Sequence, residues 1–196
     1  MRKEKLEELH QYIKELKTIK LEKTEQIPAF LTATTYLSTL TNNCTIKRER
    51  LLKNKKDGNA AIILPITKEH NTVLVVQPRV FTDRTVGIEL PAGYIEKNEL
   101  PIIAAARELK EETGYISSNI KLLTSYYQDQ GCSGAKNYSF LALSCEKNYS
   151  QSLDPDEYIK YFECTFEEAL ELMELGYIND ANSIITLEKS KQLVRR

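Results

Sequence analysis

The pattern of apolar and polar positions predicts a chain that is rich in strands, with helices near both ends. Four aliphatic residues in the first segment recur at helical spacing among alternating Glu and Lys; they are Leu6, Leu9, Ile13 and Leu16. This amphipathic helix is too short for an independent coiled coil, so it should pack on its own domain or on a partner subunit. Residues 30–40, rich in Thr, aromatic and aliphatic residues, and residues 44–52, which alternate before a turn at 56–58, are predicted strands.

The middle of the chain contains the longest apolar runs. Residues 60–66 and 73–77 are joined by a polar stretch that begins at Thr67, which indicates a hairpin of well-buried strands. A further strand is predicted at 86–90. Three more strand-like segments follow later in the chain, at 120–127, 138–144 and 158–164.

Three more helices are predicted from their start and stop signals. Residues 100–113 are rich in helix formers, with Pro101 in the first turn and Gly114 as the stop. A capping box of Thr165 and Glu168 opens a helix over 167–175, and Asp180 can cap a last helix that runs to about 194. One helix between strands and two at the end predict an α/β (α+β) fold, an αβα sandwich around a mixed β-sheet.

Composition narrows the class of protein. The chain has 196 residues, of which 41% are hydrophobic and 28% charged, enough for one well-packed domain plus an appendage. A net charge of −1 gives no basic footprint for nucleic acid, and no window of about 18 apolar residues predicts a membrane partner. The four cysteines form no CxxC pair, and the start lacks a signal-peptide core, so we expect reduced thiols and a cytoplasmic protein.

The segment 93–115, GYIEKNELPIIAAARELKEETGY, carries the candidate chemistry. On a helix at about 100° per residue, Glu108, Glu111 and Glu112 fall at roughly 0°, 300° and 40°, so their carboxylates share one face. Arg107 can pair with Glu111 at i, i+4, and the charge left on the other two calls for a hard cation with oxygen ligands. Mg²⁺ fits, as does Mn²⁺; the alternative is a solvated acidic helix face.

The same segment resembles the signature of the Nudix hydrolase family, GX5EX7REUXEEXGU. The matching residues are Gly93, Glu99, Arg107, Glu108, Leu109, Glu111, Glu112, Gly114 and Tyr115, the last in a position that usually holds a smaller aliphatic residue. The resemblance implies metal-dependent hydrolysis of a diphosphate. It implies metal ligation by the Ala92 carbonyl, Glu108 and Glu112, with Glu111 sharing the metal. We assign Glu111 and Arg107 to the catalytic group, Arg107 as the ion-pair partner that fixes the glutamates.

Three other positions of that signature, Glu99, Gly93 and Gly114, have structural roles in this interpretation. Glu99 lies about 180° from Glu108 if it is helical, so we expect it to anchor the start of the helix and not to bind metal. Gly93 should permit a tight loop, and Gly114 the end of the helix.

Segments outside the signature resemble the ADP-ribose pyrophosphatase branch of the family. They are 74–79, 89–93, 153–157, 167–170 and 176–181. The resemblance implies hydrolysis of a nucleoside diphosphate sugar, ADP-ribose to AMP and ribose 5-phosphate first of all, by a homodimer. Its N-terminal strands would cross to the partner, with residues 30–52 in that role here; the alternative is a hairpin on their own subunit. We therefore divide the chain into residues 1–55, for dimerisation and part of the substrate pocket, and 56–196, the hydrolase domain.

Two departures from that branch concern substrate contacts. Gln77-Pro78-Arg79 replaces a QYR-like triplet, and the loop 128–134 lacks the usual Pro-Gly pair, so the pocket for the terminal sugar can differ. Arg79 is assigned to substrate phosphate and Glu89 to a ribose or base edge; the alternative is an ion pair on the strand face.

The general base is assigned by resemblance to Glu157 in the acidic loop 154–157, with Asp156 as the substitute and a solvated turn as the alternative. Two other functions remain open from the sequence. One is the hydrolysis of GDP-mannose or another nucleotide sugar, and the other is a non-catalytic module that binds or senses a nucleotide sugar.

Overall fold

The computed structural model describes residues 1, 3–22 and 30–194; residues 2 and 23–29 of the N-terminal region and 195–196 at the other end lie outside the described part. The helices are α1 (Lys3–Leu16), α2 (Pro101–Thr113), α3 (Phe166–Glu174) and α4 (Ala181–Val194). The strands are β1 (Leu31–Thr39), β2 (Thr45–Lys53), β3 (Ala60–Thr67), β4 (Asn71–Pro78), β5 (Val86–Glu89), β6 (Ala92–Tyr94), β7 (Tyr115–Ile116), β8 (Asn119–Tyr127), β9 (Lys136–Lys147) and β10 (Lys160–Thr165).

Strands β3 to β10 form one mixed sheet. Its main order is β10-β4-β3-β9-β7, with β5 beside β4, β6 beside β3 and β8 beside β9. The β3–β9 pair is parallel and the other pairs are antiparallel. The mixed sheet and its flanking helices confirm the predicted α/β fold.

Both faces of β3 are buried, which explains its unbroken apolar sequence. Ile62 and Leu64 point into a core shared with α1, α3 and α4, and Ala61 and Ile63 point into a second core shared with α2. Leu9 of α1 is fully buried in the first core, so α1 packs on its own domain. The molecule is thus a sheet between two helical layers. Among the described residues, no helix is long and apolar enough to cross a membrane.

Strands β1 and β2 form a separate two-stranded antiparallel sheet. Their register runs from the Leu31–Lys53 pair to the Thr39–Thr45 pair. Most of their side chains are exposed, including Leu37 at 73%. The base of this hairpin joins the main body through the Leu51 N–H, which donates to the carbonyl of Cys132 at 2.7 Å.

The ends of the helices follow the predicted signals. Pro101 opens α2, and Gly114 closes it with a left-handed φ of 78°. Thr165 and Glu168 form the capping box of α3. Two short strands, β6 and β7, were not predicted, because two or three residues give no periodic signal. Tyr115 on β7 is 5% exposed, and its hydroxyl donates to Glu163, so the core accommodates a tyrosine at this position.

Candidate active site

The segment between β5 and α2 brings the metal-binding candidates together. Ala92 on β6 pairs with Ile62 of the central strand, which fixes it beneath α2. A Cβ on Gly93 would lie 2.0 Å from Oε1 of Glu108, so glycine is required here because the carboxylate approaches the backbone closely. The sequence predicted that position 93 needs glycine for a tight loop, whereas the structure shows that it needs glycine because of this close contact.

Glu108 and Glu112 are buried carboxylates on the inner face of α2, with exposed fractions of 8% and 3%. Oε2 of Glu112 accepts the backbone N–H of Ala92 at 3.0 Å. Burial raises the pKa of Glu108 to about 7, although the Arg107 guanidinium opposes that rise. Burial, followed by the charge of Glu108, raises the pKa of Glu112 well above its ordinary value. Two neighbouring carboxylates are therefore buried where ionisation is unfavourable, and a bound cation would favour their charged forms.

Arg107 binds three carboxylates and one carbonyl. Its Nε and Nη2 donate to the two oxygens of Glu99 at 2.9 and 3.1 Å, and Nη1 donates to Glu108 at 2.7 Å and to Glu111 at 2.9 Å. Nη2 also donates to the carbonyl of Tyr94 at 3.0 Å. The bond to Arg107 lowers the pKa of Glu99. Glu99 thus ties the loop before α2 to Arg107, a larger network than the single Arg107–Glu111 pair that spacing suggested.

The donor set suits a hard divalent cation. The Ala92 carbonyl, Glu108 and Glu112 offer oxygen atoms alone, and the side chain of Glu111 is 39% exposed at the edge of the same face. Within residues 1, 3–22 and 30–194, no three or more acidic, histidine or cysteine side chains are close enough to hold a metal ion by themselves. Mg²⁺ needs few carboxylates, because water and substrate phosphate oxygens complete its shell.

The N-terminus of α4 holds the strand that leads into the site. The backbone N–H of Leu90 donates to Oγ of Ser183 at 2.9 Å in a buried position, and the N–H of Ser183 donates to Oδ1 of Asp180 at 2.8 Å. The sequence predicted Asp180 as a cap, but not the bond from Ser183 to Leu90. Burial, followed by the charge of Glu89, raises the pKa of Asp180.

Arg79 and Glu89 bind each other. Nε and Nη2 of Arg79 donate to the two oxygens of Glu89 at 2.6 and 2.5 Å. The side chain of Glu89 is 10% exposed, whereas that of Arg79 is 46% exposed. A Cβ on Gly87 would meet Oε1 of Glu89 at 2.0 Å, so this glycine leaves room for the pair. Arg79 and Glu89 therefore form the ion pair on the strand face that the sequence analysis gave as the alternative to substrate contacts.

The loop that carries Glu157 lies next to the end of α2. The backbone N–H of Asp154 donates to Oε2 of Glu157 at 3.1 Å, and the N–H of Glu157 donates to the carbonyl of Asp154 at 3.0 Å. Glu157 is exposed, as is Asp156, and its charge contributes to the raised pKa of both Glu108 and Glu112. Glu157 is therefore within electrostatic range of the buried glutamates.

A cavity of about 640 Å³ lies between the base of the β1–β2 hairpin and the loop before α2. Phe30 and Tyr94 line it, with ring centroids 6.3 Å apart, together with Lys53, Lys56 and Lys97. The predicted sugar loop 128–134 lies near the same hairpin base through the Leu51–Cys132 bond.

Comparison with known proteins identifies the class. Residues 56–185 match the sequence model of the NUDIX domain, which is more than half of the chain. The chain therefore belongs to the Nudix family, in agreement with the signature at 93–115, and it is a pyrophosphohydrolase of that family.

The alignments with curated relatives cover most of this chain and most of each relative. The chain is 36% identical over 135 residues to the ADP-ribose pyrophosphatase of Bacillus subtilis (strain 168), covering 68% of this chain and 72% of that protein. It is 32% identical over 150 residues to the methanol dehydrogenase activator of Bacillus methanolicus, covering 76% and 78%. It is 30% identical over 165 residues to the GDP-mannose pyrophosphatase of Enterobacter sp. (strain 638), covering 78% and 85%.

The fold also matches a solved structure, described as the crystal structure of an ADP compounds hydrolase. The TM-score is 0.73 and the sequence identity 19%, with 92% of this chain and 95% of the other covered. At this identity the match supports the fold.

Proposed function

We propose that this protein is a divalent-metal-dependent pyrophosphohydrolase of nucleoside diphosphate sugars, and that it cleaves ADP-ribose to AMP and ribose 5-phosphate. The observation that carries the proposal is the buried pair Glu108 and Glu112 beside Ala92, whose excess negative charge suits a divalent cation. The relatives that hydrolyse ADP-ribose and GDP-mannose support the substrate class.

Hydrolysis adds one water across the diphosphate. One P–O bond to the bridging oxygen breaks, a new P–O bond to the water oxygen forms, and the water proton leaves. A divalent cation held by Glu108, Glu112 and the Ala92 carbonyl would neutralise phosphate oxygens and lower the pKa of water. Glu157 accepts the proton, since its carboxylate is exposed and within electrostatic range of the buried glutamates. Arg107 holds Glu108 and Glu111 in place through its two Nη1 bonds.

Substrate contacts come from the residues around the buried pair. Arg79 uses Nε and Nη2 for Glu89, which leaves Nη1 for a phosphate oxygen. Glu89 in turn fixes the direction of that guanidinium and faces the ribose. The cavity beside Tyr94 combines two aromatic rings with lysines, a chemistry that suits a base and its phosphates.

We also propose that the active form is a homodimer in which the β1–β2 hairpin contacts the second subunit. The hairpin packs poorly on its own chain, and it exposes Leu31, Tyr36, Leu37 and Leu40 at 42–73%. Isolated two-stranded sheets are marginally stable in water, so this one gains by packing on a partner. In this scheme residues 1–55 supply the dimerising hairpin and part of the pocket, with α1 packed on the hydrolase domain that residues 56–196 form.

The metal and the location belong to the same proposal. Mg²⁺ is the expected metal, with Mn²⁺ a substitute, because the donors are oxygen atoms. The four cysteines are free thiols, Cys145 and Cys164 buried among them, which suits a cytoplasmic protein. We propose no nucleic acid and no membrane as partners.

A substrate panel tests the proposal. The protein is incubated with ADP-ribose, GDP-mannose, ADP-glucose and UDP-glucose with Mg²⁺, and released nucleoside monophosphates are separated by chromatography. We expect ADP-ribose to give AMP at the highest kcat/KM, and EDTA to stop the reaction. GDP-mannose as the preferred substrate would establish the second candidate, which the Enterobacter relative favours. Binding of ADP-ribose without turnover of any compound would contradict the proposal that the protein is an enzyme.

A further inference from the structure

The segment 148–152 covers the C-terminal end of α2. A helix leaves its last four carbonyls without helical partners. In α2, the carbonyl of Glu111 accepts the backbone N–H of Ser152 at 2.9 Å, and the carbonyl of Glu112 accepts the side-chain amide of Gln151 at 2.6 Å. The backbone of the two glutamates is therefore bonded to the segment that leads into the Glu157 loop.

Gln151 makes a second hydrogen bond that closes this loop. Its Nε2 also donates to the carbonyl of Ile159 at 3.2 Å. Ile159 is 5% exposed and precedes β10, so it is a fixed point of the core. Residues 152–158 between these two anchors form the loop that carries Glu157. One amide nitrogen thus joins the end of the metal-binding helix to both ends of the loop.

Among the described residues, few other contacts fix the position of this loop. Residues 154–158 are all exposed, and Tyr158 is 66% exposed. Inside the loop, the two bonds between Asp154 and Glu157 set the local conformation, but they do not tie it to α2. The distance between Glu157 and Glu112 therefore depends on the bonds at the base of the loop, those of Gln151 and Ser152.

We infer that Gln151 is a positioning residue that sets Glu157 against the buried glutamates of α2. The inference rests on the proposed function, in which Glu157 takes the proton from water. Proton transfer requires hydrogen-bond reach, and a displacement of about 1 Å can lower a rate on the order of 100-fold. Gln151 itself touches neither the substrate nor the reacting atoms.

Gln151→Met tests this role, because methionine has a similar length and no N–H donor. We expect kcat for ADP-ribose to fall about tenfold. The substrate KM and the Mg²⁺ concentration for half-maximal rate should change by less than about twofold, because Gln151 contacts the backbone carbonyl of Glu112 and neither the metal-binding carboxylates nor Arg79. Gln192→Met, at an exposed position of α4, is the matched control and should keep the wild-type kcat.

A double-mutant cycle with Glu157→Gln shows whether Gln151 acts through Glu157. We expect Gln151→Met to cause no further fall in kcat once Glu157 is changed. An equal fall in both backgrounds would overturn the inference, as would an unchanged kcat in Gln151→Met when Glu157→Gln is slow. If Gln151→Met does not fold, Gln151→Asn replaces it, because asparagine keeps the amide on a shorter side chain. Its effect on kcat is then compared in the wild-type and Glu157→Gln backgrounds in the same way.

The cycle separates this inference from the proposed function. If Glu157→Gln keeps the wild-type kcat, the proposed base is wrong, and the inference fails with it. If Glu157→Gln is slow and Gln151→Met is not, the proposed function stands and the inference alone is overturned.

Discussion

Glu112 is enclosed by the protein, and no cationic side chain among the described residues forms a salt bridge with it. Only 3% of it is exposed, so burial disfavours its ionisation, and the charges of Glu108 and Glu157 add to that effect. Its pKa in the folded state is raised above the ordinary value of 4.5. The folded metal-free protein therefore loses stability as pH rises from the unfolded pKa towards the folded pKa, because over that range the unfolded state releases the proton that the folded state retains. Below the unfolded pKa, Glu112 is protonated in both the folded and the unfolded state, so the protein does not lose this stability.

Glu112→Gln should accordingly stabilise the metal-free protein. The amide oxygen can still accept the Ala92 N–H, and the buried charge is gone. We expect a higher Tm than wild type at pH 8 in EDTA, and a smaller difference near pH 4. Glu111→Gln is the control, because Glu111 is partly exposed and paired with Arg107, so its change should be small. A lower Tm for Glu112→Gln at pH 8 would contradict the interpretation of this site.

Gly87→Ala tests the proposed role of Arg79. The added Cβ would meet Glu89 at 2.0 Å and Cγ of Arg79 at 2.8 Å, so the ion pair must shift. We expect the KM for ADP-ribose to rise about tenfold, because a charge-assisted bond to phosphate is lost or misaligned. Steady-state kinetics measure this, with Arg79→Lys as the companion variant. A KM unchanged in both variants would remove Arg79 from the substrate site.

At the residue scale, contacts within one helix could be predicted from helical spacing, whereas contacts between distant segments could not. The positions of Glu108, Glu111 and Glu112 follow from 3.6 residues per turn, so their shared face was predictable. The bonds from Ser183 to Leu90 and from Gln151 to Glu112 join segments 93 and 39 residues apart. Such contacts depend on how the helices pack, and no local pattern reports them.

At the scale of elements, the end of α2 depends on Gly114. Its φ is 78°, and an added Cβ would lie 2.0 Å from the carbonyl oxygen of Tyr149. Gly114→Ala therefore combines left-handed strain with a clash against backbone. We expect the free energy of unfolding to fall by roughly 2–3 kcal/mol, measured by urea denaturation.

Gly176 supplies the matched control for that measurement. Its φ is 71°, but an added Cβ would meet nothing within 4 Å. Gly176→Ala should therefore cost about 1 kcal/mol, the strain alone. Equal losses in the two variants would show that the Tyr149 contact contributes nothing.

The elements that the sequence predicted well are those with long periodic signals or caps. The apolar run at 60–66 correctly predicted strand β3. Pro101 and the Thr165–Glu168 capping box correctly predicted the starts of α2 and α3. Strand β9 is longer than predicted, Lys136–Lys147, because its ends pair with β8 and β7 through polar residues. The polar ends carry no apolar pattern, so only pairing in the folded sheet defines them.

At the scale of the whole molecule, the proposed homodimer depends on contacts that the β1–β2 hairpin makes with the second subunit. Leu37→Asp places a charge on its most exposed leucine and should shift a dimer to monomer, because burying that charge at an interface is unfavourable. Sedimentation velocity of both proteins measures the change. Leu122→Asp, at a 57% exposed leucine of β8, is the control and should leave the assembly unchanged.

A wild-type protein that sediments as a monomer at working concentrations would contradict the dimer. The fold itself does not depend on the outcome, because the main sheet and both cores are complete within one chain.

The family and fold were predictable from the chain alone, because the signature at 93–115 fixes both residue identities and spacing. The substrate was not, since it depends on the hairpin, on Arg79 and Glu89, and on loops whose contacts come from distant segments. The curated relatives reflect this division, sharing the domain while acting on ADP-ribose in one case and GDP-mannose in another.

The most direct measurement of the central claim is the rate of AMP release from ADP-ribose by wild type and Glu112→Gln, both at saturating Mg²⁺. The account predicts that wild type turns over and that Glu112→Gln falls on the order of 100-fold or more in kcat while remaining folded. A folded Glu112→Gln that retains most of the wild-type rate would contradict the account.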